Sequence, residues 1–161
     1  MPVKQKLSSR TVDEKDKKIL MVLQENGREQ LNKIAKKVGL SIDSTHRRIK
    51  VMLEKGVFHS TILINPRIMG YPLIADIKIK LKNVSEEKRQ QFINYMKGYD
   101  RCTELLATMG DYDFTCVLIA KDSNELEKIS TQIRQMFKEL ILEWKGILIL
   151  TTYKFEHYDL T

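Results

Sequence analysis

The fold is read from residues 34–50, Ile34-Ala35-Lys36-Lys37-Val38-Gly39-Leu40-Ser41-Ile42-Asp43-Ser44-Thr45-His46-Arg47-Arg48-Ile49-Lys50. Leu31, Ile34, Ala35 and Val38 recur at i, i+3, i+4 and i+7, the spacing of one helix face. Gly39 stops that helix, because glycine takes the left-handed conformation that ends a helix without a Cβ clash. Leu40 plugs the core under the turn, and Ser41 is a natural N-cap for the next helix. In that helix Ile42, Thr45, Ile49, Met52 and Leu53 gather on one side until Lys55-Gly56 closes it. Two short helices joined by Val38-Gly39-Leu40-Ser41 spell a helix-turn-helix.

Toward the N-terminus, Ile19, Leu20 and Leu23 place a first helix before Asn26-Gly27. Its start carries two overlapping capping patterns, Thr11-x-x-Glu14 and Asp13-x-x-Asp16. Residues 1–10 are polar and basic and read as a flexible arm. The expected domain boundaries are a helix-turn-helix domain over 11–56, a linker strand and hinge over 57–72, and an α/β domain over 73–161.

Toward the C-terminus, apolar residues alternate from Val57 to Ile64 and then meet Asn65-Pro66, which predicts a strand leading into a hinge. Ile77, Ile79 and Leu81 alternate with Lys78, Lys80 and Lys82, the pattern of a strand with one wet face. Ser85 caps a helix running through Met96. Strand text from Thr103 to Met109 turns at Gly110-Asp111 and returns from Phe114 to Ala120. A further helix, capped by Asp122 or Ser123, carries Leu126, Ile129, Ile133 and Phe137, and Ile147 to Phe155 is predicted as the last strand. The expected fold class is therefore α+β: a three-helix, winged-type helix-turn-helix linked to a ferredoxin-like βαββαβ sandwich.

Charge separates the two parts. Residues 1–60 hold 14 Lys or Arg against 7 Asp or Glu, so the whole net charge of +7 lies there, while residues 61–161 are neutral. A basic module that meets a polyanion, joined to a neutral module with another task, is the implied organisation. No window reaches the roughly 18 apolar residues of a membrane span. The start lacks the apolar run of a secretory signal, so a cytoplasmic location is expected. His46, His59 and His157 are scattered, and Cys102 and Cys116 lack Cys-x-x-Cys spacing, so neither a metal site nor a cofactor is expected. A tight turn at Gly110-Asp111 sets Met109 opposite Tyr112 and Cys116 opposite Leu105; Cys102 and Cys116 are then not direct neighbours, and no disulfide between them is expected.

On a helical wheel the third helix turns Asp43, Ser44, Arg47, Lys50 and Val51 outward, with His46 and Arg48 at the edges. A basic helix is ordinarily just a solvated face. Here the helix follows a correctly spaced turn, and the charge excess is confined to this domain. Arginine pairs with guanine in the major groove, hydroxyls meet base edges or phosphates, and the first turn of a helix attracts a phosphate. The candidate DNA-binding set is Ser41, Ser44, Thr45, His46, Arg47, Arg48 and Lys50. Lys33, Lys36 and Lys37 read as ordinary surface. Asp43 would repel phosphate unless it accepts from a cytosine amine or caps the helix. At the hairpin tip, Gly110-Asp111-Tyr112-Asp113 is common turn chemistry when seen alone.

Taken together, Asp13-x-x-Asp16-x-x-Ile19-Leu20, Gly27-Arg28, Ile34-Ala35-x-x-Val38-Gly39-Leu40-Ser41, Arg47-Arg48-Ile49, Glu54-x-Gly56-Val57, Asn65-Pro66, Gly70-Tyr71 and Gly110-Asp111-Tyr112-Asp113 follow in an order that resembles the Lrp/AsnC (feast/famine) transcription regulators. The resemblance runs from about Val12 to His157. It implies double-stranded DNA with a palindromic site as partner, and homodimers formed through a RAM-type C-terminal domain and stacked as far as octamers. It also implies an amino-acid-like effector, bound where Met109, Gly110, Asp111, Tyr112 and Asp113 line a cleft, and pairing of the Val57–Ile64 strand with its copy in a second chain. Three departures stand out: Met109 replaces a frequent threonine, Gln30 replaces a serine or threonine cap, and Glu143-Trp144-Lys145-Gly146 stands where small hydroxyl residues are frequent.

Two other readings compete. Sirohaem decarboxylases are similar in architecture, but such an enzyme needs cations and imidazoles around an acidic tetrapyrrole, whereas the C-terminal part is neutral and holds only His157. A metabolite-binding module whose helix-turn-helix serves assembly alone is the other. Catalytic residues are expected in neither the leading reading nor the last.

Overall fold

A computed structural model describes residues 12–82 and 85–160; the proposed arm and Thr11 lie outside them. The chain forms two compact units, one of residues 63–153 and one of the residues up to 62 together with those from 154 onward.

In the helical unit, α1 (Glu14–Glu25), α2 (Leu31–Val38) and α3 (Ile42–Glu54) close over Ile19, Ile34, Val38 and Met52, with Leu40, Ile49 and Phe58 packed against them. Each buried aliphatic contributes about 1.5–3 kcal/mol, so these few side chains carry the unit. Asp13 caps α1 in a full capping box with Asp16, the second of the two expected patterns. Gln30 makes no side-chain cap on α2, as its departure from Ser or Thr implies, and Gly39 ends that helix at φ 66°. The Lys15 ammonium donates to the Val38 carbonyl at 2.6 Å, answering an orphan acceptor at the end of α2.

Residues 57–64 have no strand partner among the described residues. Alternation marks an edge with one apolar side, but a strand exists only when a neighbour takes up its backbone groups. Farther on, Gln24 and Tyr158 exchange two bonds: the Gln24 amide donates to the Tyr158 carbonyl, and the Tyr158 N–H donates to Gln24 Oε1, each at 2.8 Å. That clasp fixes the tail on α1.

The second unit runs β1 (Leu73–Leu81), α4 (Glu86–Lys97), β2 (Cys102–Ala107), β3 (Phe114–Ala120), α5 (Ser123–Met136) and β4 (Ile141–Leu148). The sheet order is β2-β3-β1-β4 with every pair antiparallel, the ferredoxin-like arrangement. Ile77, Ile79, Phe114, Cys116 and Leu118 face α4 and α5 and meet Phe92, Met96, Ile129 and Ile133 in one core. Ser85 and Asp122 cap the helices as expected.

The last strand is Ile141–Leu148, not Ile147–Phe155. Its text misleads because Glu143, Trp144 and Lys145 break the apolar run, while the residues after Ile149, whose N–H still donates to the Ile74 carbonyl, have no strand partner among the described residues. Trp144 packs toward the core beside Ile141. Asn65-Pro66 opens a turn in which the Pro66 carbonyl accepts from Met69 and Tyr71. The Arg67 guanidinium then ties that turn to the chain after β4, donating to the carbonyls of Pro72, Ile149 and Leu150.

Candidate nucleic-acid interface and hairpin tip

The turn at Gly39 and the cap at Ser41 set the start of α3, and Ser41 Oγ accepts from the Ser44 N–H at 3.2 Å. From there the helix sorts the expected contact residues by their angle around it. Ser41, Asp43, His46, Arg47 and Lys50 are exposed, and Ser44 is half-buried. Thr45 is not available: it is buried, and its hydroxyl donates to the Ser41 carbonyl at 2.9 Å. Its place on the inward stripe beside Ile49 and Met52 explains why, so its side chain drops out of the contact set.

Arg48 is engaged elsewhere. Its Nη1 donates to Asp13 Oδ2 at 2.7 Å and to Asp16 Oδ1 at 2.8 Å, fastening α3 to the capping box of α1. The hydrogen bond from Arg48 holds the Asp13 carboxyl below its ordinary value of 3.8. Arg47, one position earlier, has no ion-pair partner among the described residues, and neither does His46. Lys50 lies 3.9 Å from Glu54 in an exposed pair of little energetic weight. On α2, Lys33 and Lys37 share Glu29, whereas Lys36 is exposed without a partner among the described residues. The outward face of α3 thus offers one unneutralised guanidinium, one imidazole and an N-terminal turn with hydroxyls, the donors that phosphates and guanine edges accept from. The clamping role of Lys15 and of the aspartates at α1 carried no sequence signal beyond the capping pattern.

At the other candidate site the β2–β3 register matches the expectation: Leu105 lies across from Cys116, and the Thr108 N–H donates to the Asp113 carbonyl at 2.9 Å. Gly110 sits at φ 139°, which only glycine adopts without strain. The Thr108 hydroxyl donates across the turn to the Tyr112 carbonyl at 2.5 Å, so a threonine does serve this tip, one residue before Met109. Met109 is fully in solvent, Asp111 is exposed and Tyr112 is half-buried. Asp113 differs from its neighbours. Its Oδ2 accepts the Leu81 N–H at 2.7 Å and its own N–H donates to the Ile79 carbonyl at 2.9 Å, so it stitches the hairpin to β1 where the β1–β4 register slips.

The two sites stand in segments that known families cover. A family model of the AsnC-type helix-turn-helix domain matches residues 12–53, and one of the Lrp/AsnC ligand binding domain matches residues 74–141. The HTH-type transcriptional regulator Ptr1 of Methanocaldococcus jannaschii is 33% identical over 147 residues, 89% of this chain and 95% of the relative. FL11 of Pyrococcus abyssi, another HTH-type transcriptional regulator, is 35% identical over 117 residues, 72% of this chain and 76% of its own. Among solved structures, AsnC of E. coli superposes with a TM-score of 0.79 at 23% identity, covering 92% of this chain and 99% of that one. A Neisseria meningitidis transcriptional regulator solved with L-Met gives 0.81 at 23%, covering 90% and 94%. Those two likenesses bear on the fold, and the closer sequence relatives and family matches bear on kinship. Together they place this chain in the Lrp/AsnC family, as a DNA-binding helix-turn-helix transcription regulator that responds to a small ligand.

Proposed function

We propose that the chain acts in the cytoplasm as a homodimer that reads a palindromic double-stranded DNA site through α3, with an amino acid or related metabolite bound at the Gly110–Asp113 tip as effector. Arg47 carries the reading: it is an exposed guanidinium, without an ion-pair partner among the described residues, on the outward face of a helix that follows a correctly built turn. Ser41, Ser44, His46 and Lys50 complete the contact set, and Arg48 contributes by fixing the angle of α3. A two-fold dimer presents two such helices, and a two-fold site is their natural match.

Exposed Ile62, Leu63 and Ile64, in a segment with no strand partner among the described residues, support pairing with a second copy. An octamer of such dimers is the higher assembly that the family likeness suggests. At the tip, Asp111 supplies a free carboxylate for an ammonium group, and the turn's backbone supplies polar partners for a carboxylate. Asp113 acts there as the anchor of the tip.

Selection of bound sequences from random duplex DNA tests the proposal directly. An enriched palindrome, lost in Arg47→Ala at unchanged thermal stability, is the expected result. Binding without sequence preference, or full activity of Arg47→Ala, would overturn it. A regulator rather than a sirohaem decarboxylase is favoured by the neutral charge of residues 61–161 and by the relatives. Unchanged sirohaem absorbance on mixing is the matching outcome.

A further inference from the structure

The β2–β3 ladder has a register slip between Cys102 and Glu104, so Thr103 is an extra residue and Cys102 stands across from Leu118 rather than one position away. Leu118 and Cys116 both face the helix side of the sheet, and Cys102 packs against that same core. The slip therefore sets Cys102 one diagonal step from Cys116 on the same face of the sheet, with its thiol donating to the Glu104 carbonyl at 3.2 Å. Leu105 stands across from Cys116 as the register predicts and both cysteines are free thiols, while the bulge brings Cys102 onto the face of the sheet that Cys116 shares.

The two sulfurs differ in access. Cys116 is buried, whereas Cys102 is half-buried and lines a cavity of about 390 Å³ between α4 and β2, with Ile93, Met96, Lys97, Glu104 and Phe114 around it. A small neutral oxidant reaches Cys102 through that cavity and cannot reach Cys116 directly.

We propose that Cys102 and Cys116 form a peroxide-oxidisable dithiol that closes reversibly to an intramolecular disulfide between β2 and β3. The Cys102 thiolate attacks one oxygen of hydrogen peroxide. An S–O bond forms, the O–O bond breaks, and the departing hydroxide leaves as water after taking the thiol proton. The Cys116 sulfur then attacks the resulting sulfenic acid at Cys102, the S–S bond forms, the S–O bond breaks, and a second water carries off the Cys116 proton. Two thiols have lost two electrons, and peroxide has become two waters.

The division of labour fits the local chemistry. The neighbouring Cys116 thiol holds the Cys102 thiol below its ordinary value, while the Cys102 thiol and burial push Cys116 up. Cys102 is thus the attacking thiol, and Cys116 resolves it from the core. The cross-link would lie at the base of the hairpin that ends in Gly110–Asp113, and would fix the bulged register there.

Intact mass of the full chain, reduced, then treated with stoichiometric hydrogen peroxide and quenched with N-ethylmaleimide under denaturing conditions, reads the outcome. The expected product is a monomeric species lighter by two hydrogens, with neither thiol labelled, and restored to two labels by dithiothreitol. In Cys116→Ser, the expected product is a sulfenic acid at Cys102 trapped by dimedone; in Cys102→Ser, peroxide leaves Cys116 free to be labelled. Two labelled thiols after treatment of the wild-type chain would overturn the proposal, and so would disulfide-linked dimers in place of the internal bridge. Dimedone adducts at Cys116 rather than at Cys102 would overturn the assigned order of attack.

Discussion

Successive residues on a helix point about 100° apart, and that angle separates Arg47 from Arg48. Arg47 faces solvent alone, whereas Arg48 bridges Asp13 and Asp16. Arg47→Ala should weaken binding to a selected operator by about 10–100-fold, the equivalent of one lost guanidinium contact, with an unchanged melting temperature. Calorimetry and gel-shift titration on the same preparation check both halves. Arg48→Ala should instead lower stability by about 1 kcal/mol and, by loosening the angle of α3, weaken DNA binding by less than Arg47→Ala does. That clasp is also pH-dependent. Because the folded value of Asp13 is depressed, its contribution is complete above the ordinary carboxylate value of 3.8 and fades as pH falls through the lowered folded value. The gap in melting temperature between wild type and Arg48→Ala should accordingly hold from neutrality into mild acid and close below that value.

The β2–β3 hairpin shows how one element divides duties among adjacent carboxylates. Asp113→Ala leaves the Leu81 N–H without its acceptor and should cost about 1–2 kcal/mol. Asp113→Asn keeps an acceptor and should cost less. Asp111→Ala should leave stability unchanged and remove the effector response of DNA binding, measured by titrating amino acids into a protein–operator complex; an unaltered response would remove Asp111 from the site.

Much of this was legible in the sequence, because the elements announce themselves locally. Gly39 and Ser41 place the turn, Asp13 and Asp16 the cap, and the alternation in β1 and the tight turn at Gly110 set the hairpin register to the residue. What escaped was non-local. Arg48 and Arg47 look alike in sequence because the carboxylates that distinguish them lie more than thirty positions away. Thr45 reads as a hydroxyl for DNA until its inward angle buries it. Asp113 reads as a ligand group until β1 is laid beside it. The last strand was misplaced because pairing with β1, rather than apolar content, selects residues 141–148. The bulge at Thr103 has no signature in composition, and it sets Cys102 diagonal to Cys116.

At the scale of the whole molecule, basic charge confined to residues 1–60 predicts strongly salt-dependent binding. The log of affinity should fall against log salt with a slope of about −0.9 for each phosphate neutralised. Mutating Arg47 should reduce the slope by about one such contact if it meets a phosphate, and should relax base preference if it meets guanine. Two compact units also argue against a single cooperative unfolding step, and differential scanning calorimetry should resolve more than one transition.

The tail clasp has a practical corollary for dissecting the protein. Because the Gln24 side chain exchanges two hydrogen bonds with the Tyr158 backbone, the helical unit is assembled from two stretches far apart in sequence. An excised fragment stopping at Ile62 lacks one of its own parts, and a bulky fusion placed directly after Tyr158 presses on α1. Reporter proteins and affinity handles on this regulator therefore belong behind a long spacer, and a minimal DNA-binding fragment should be supplied with residues 154–160 in trans or stitched on by a linker.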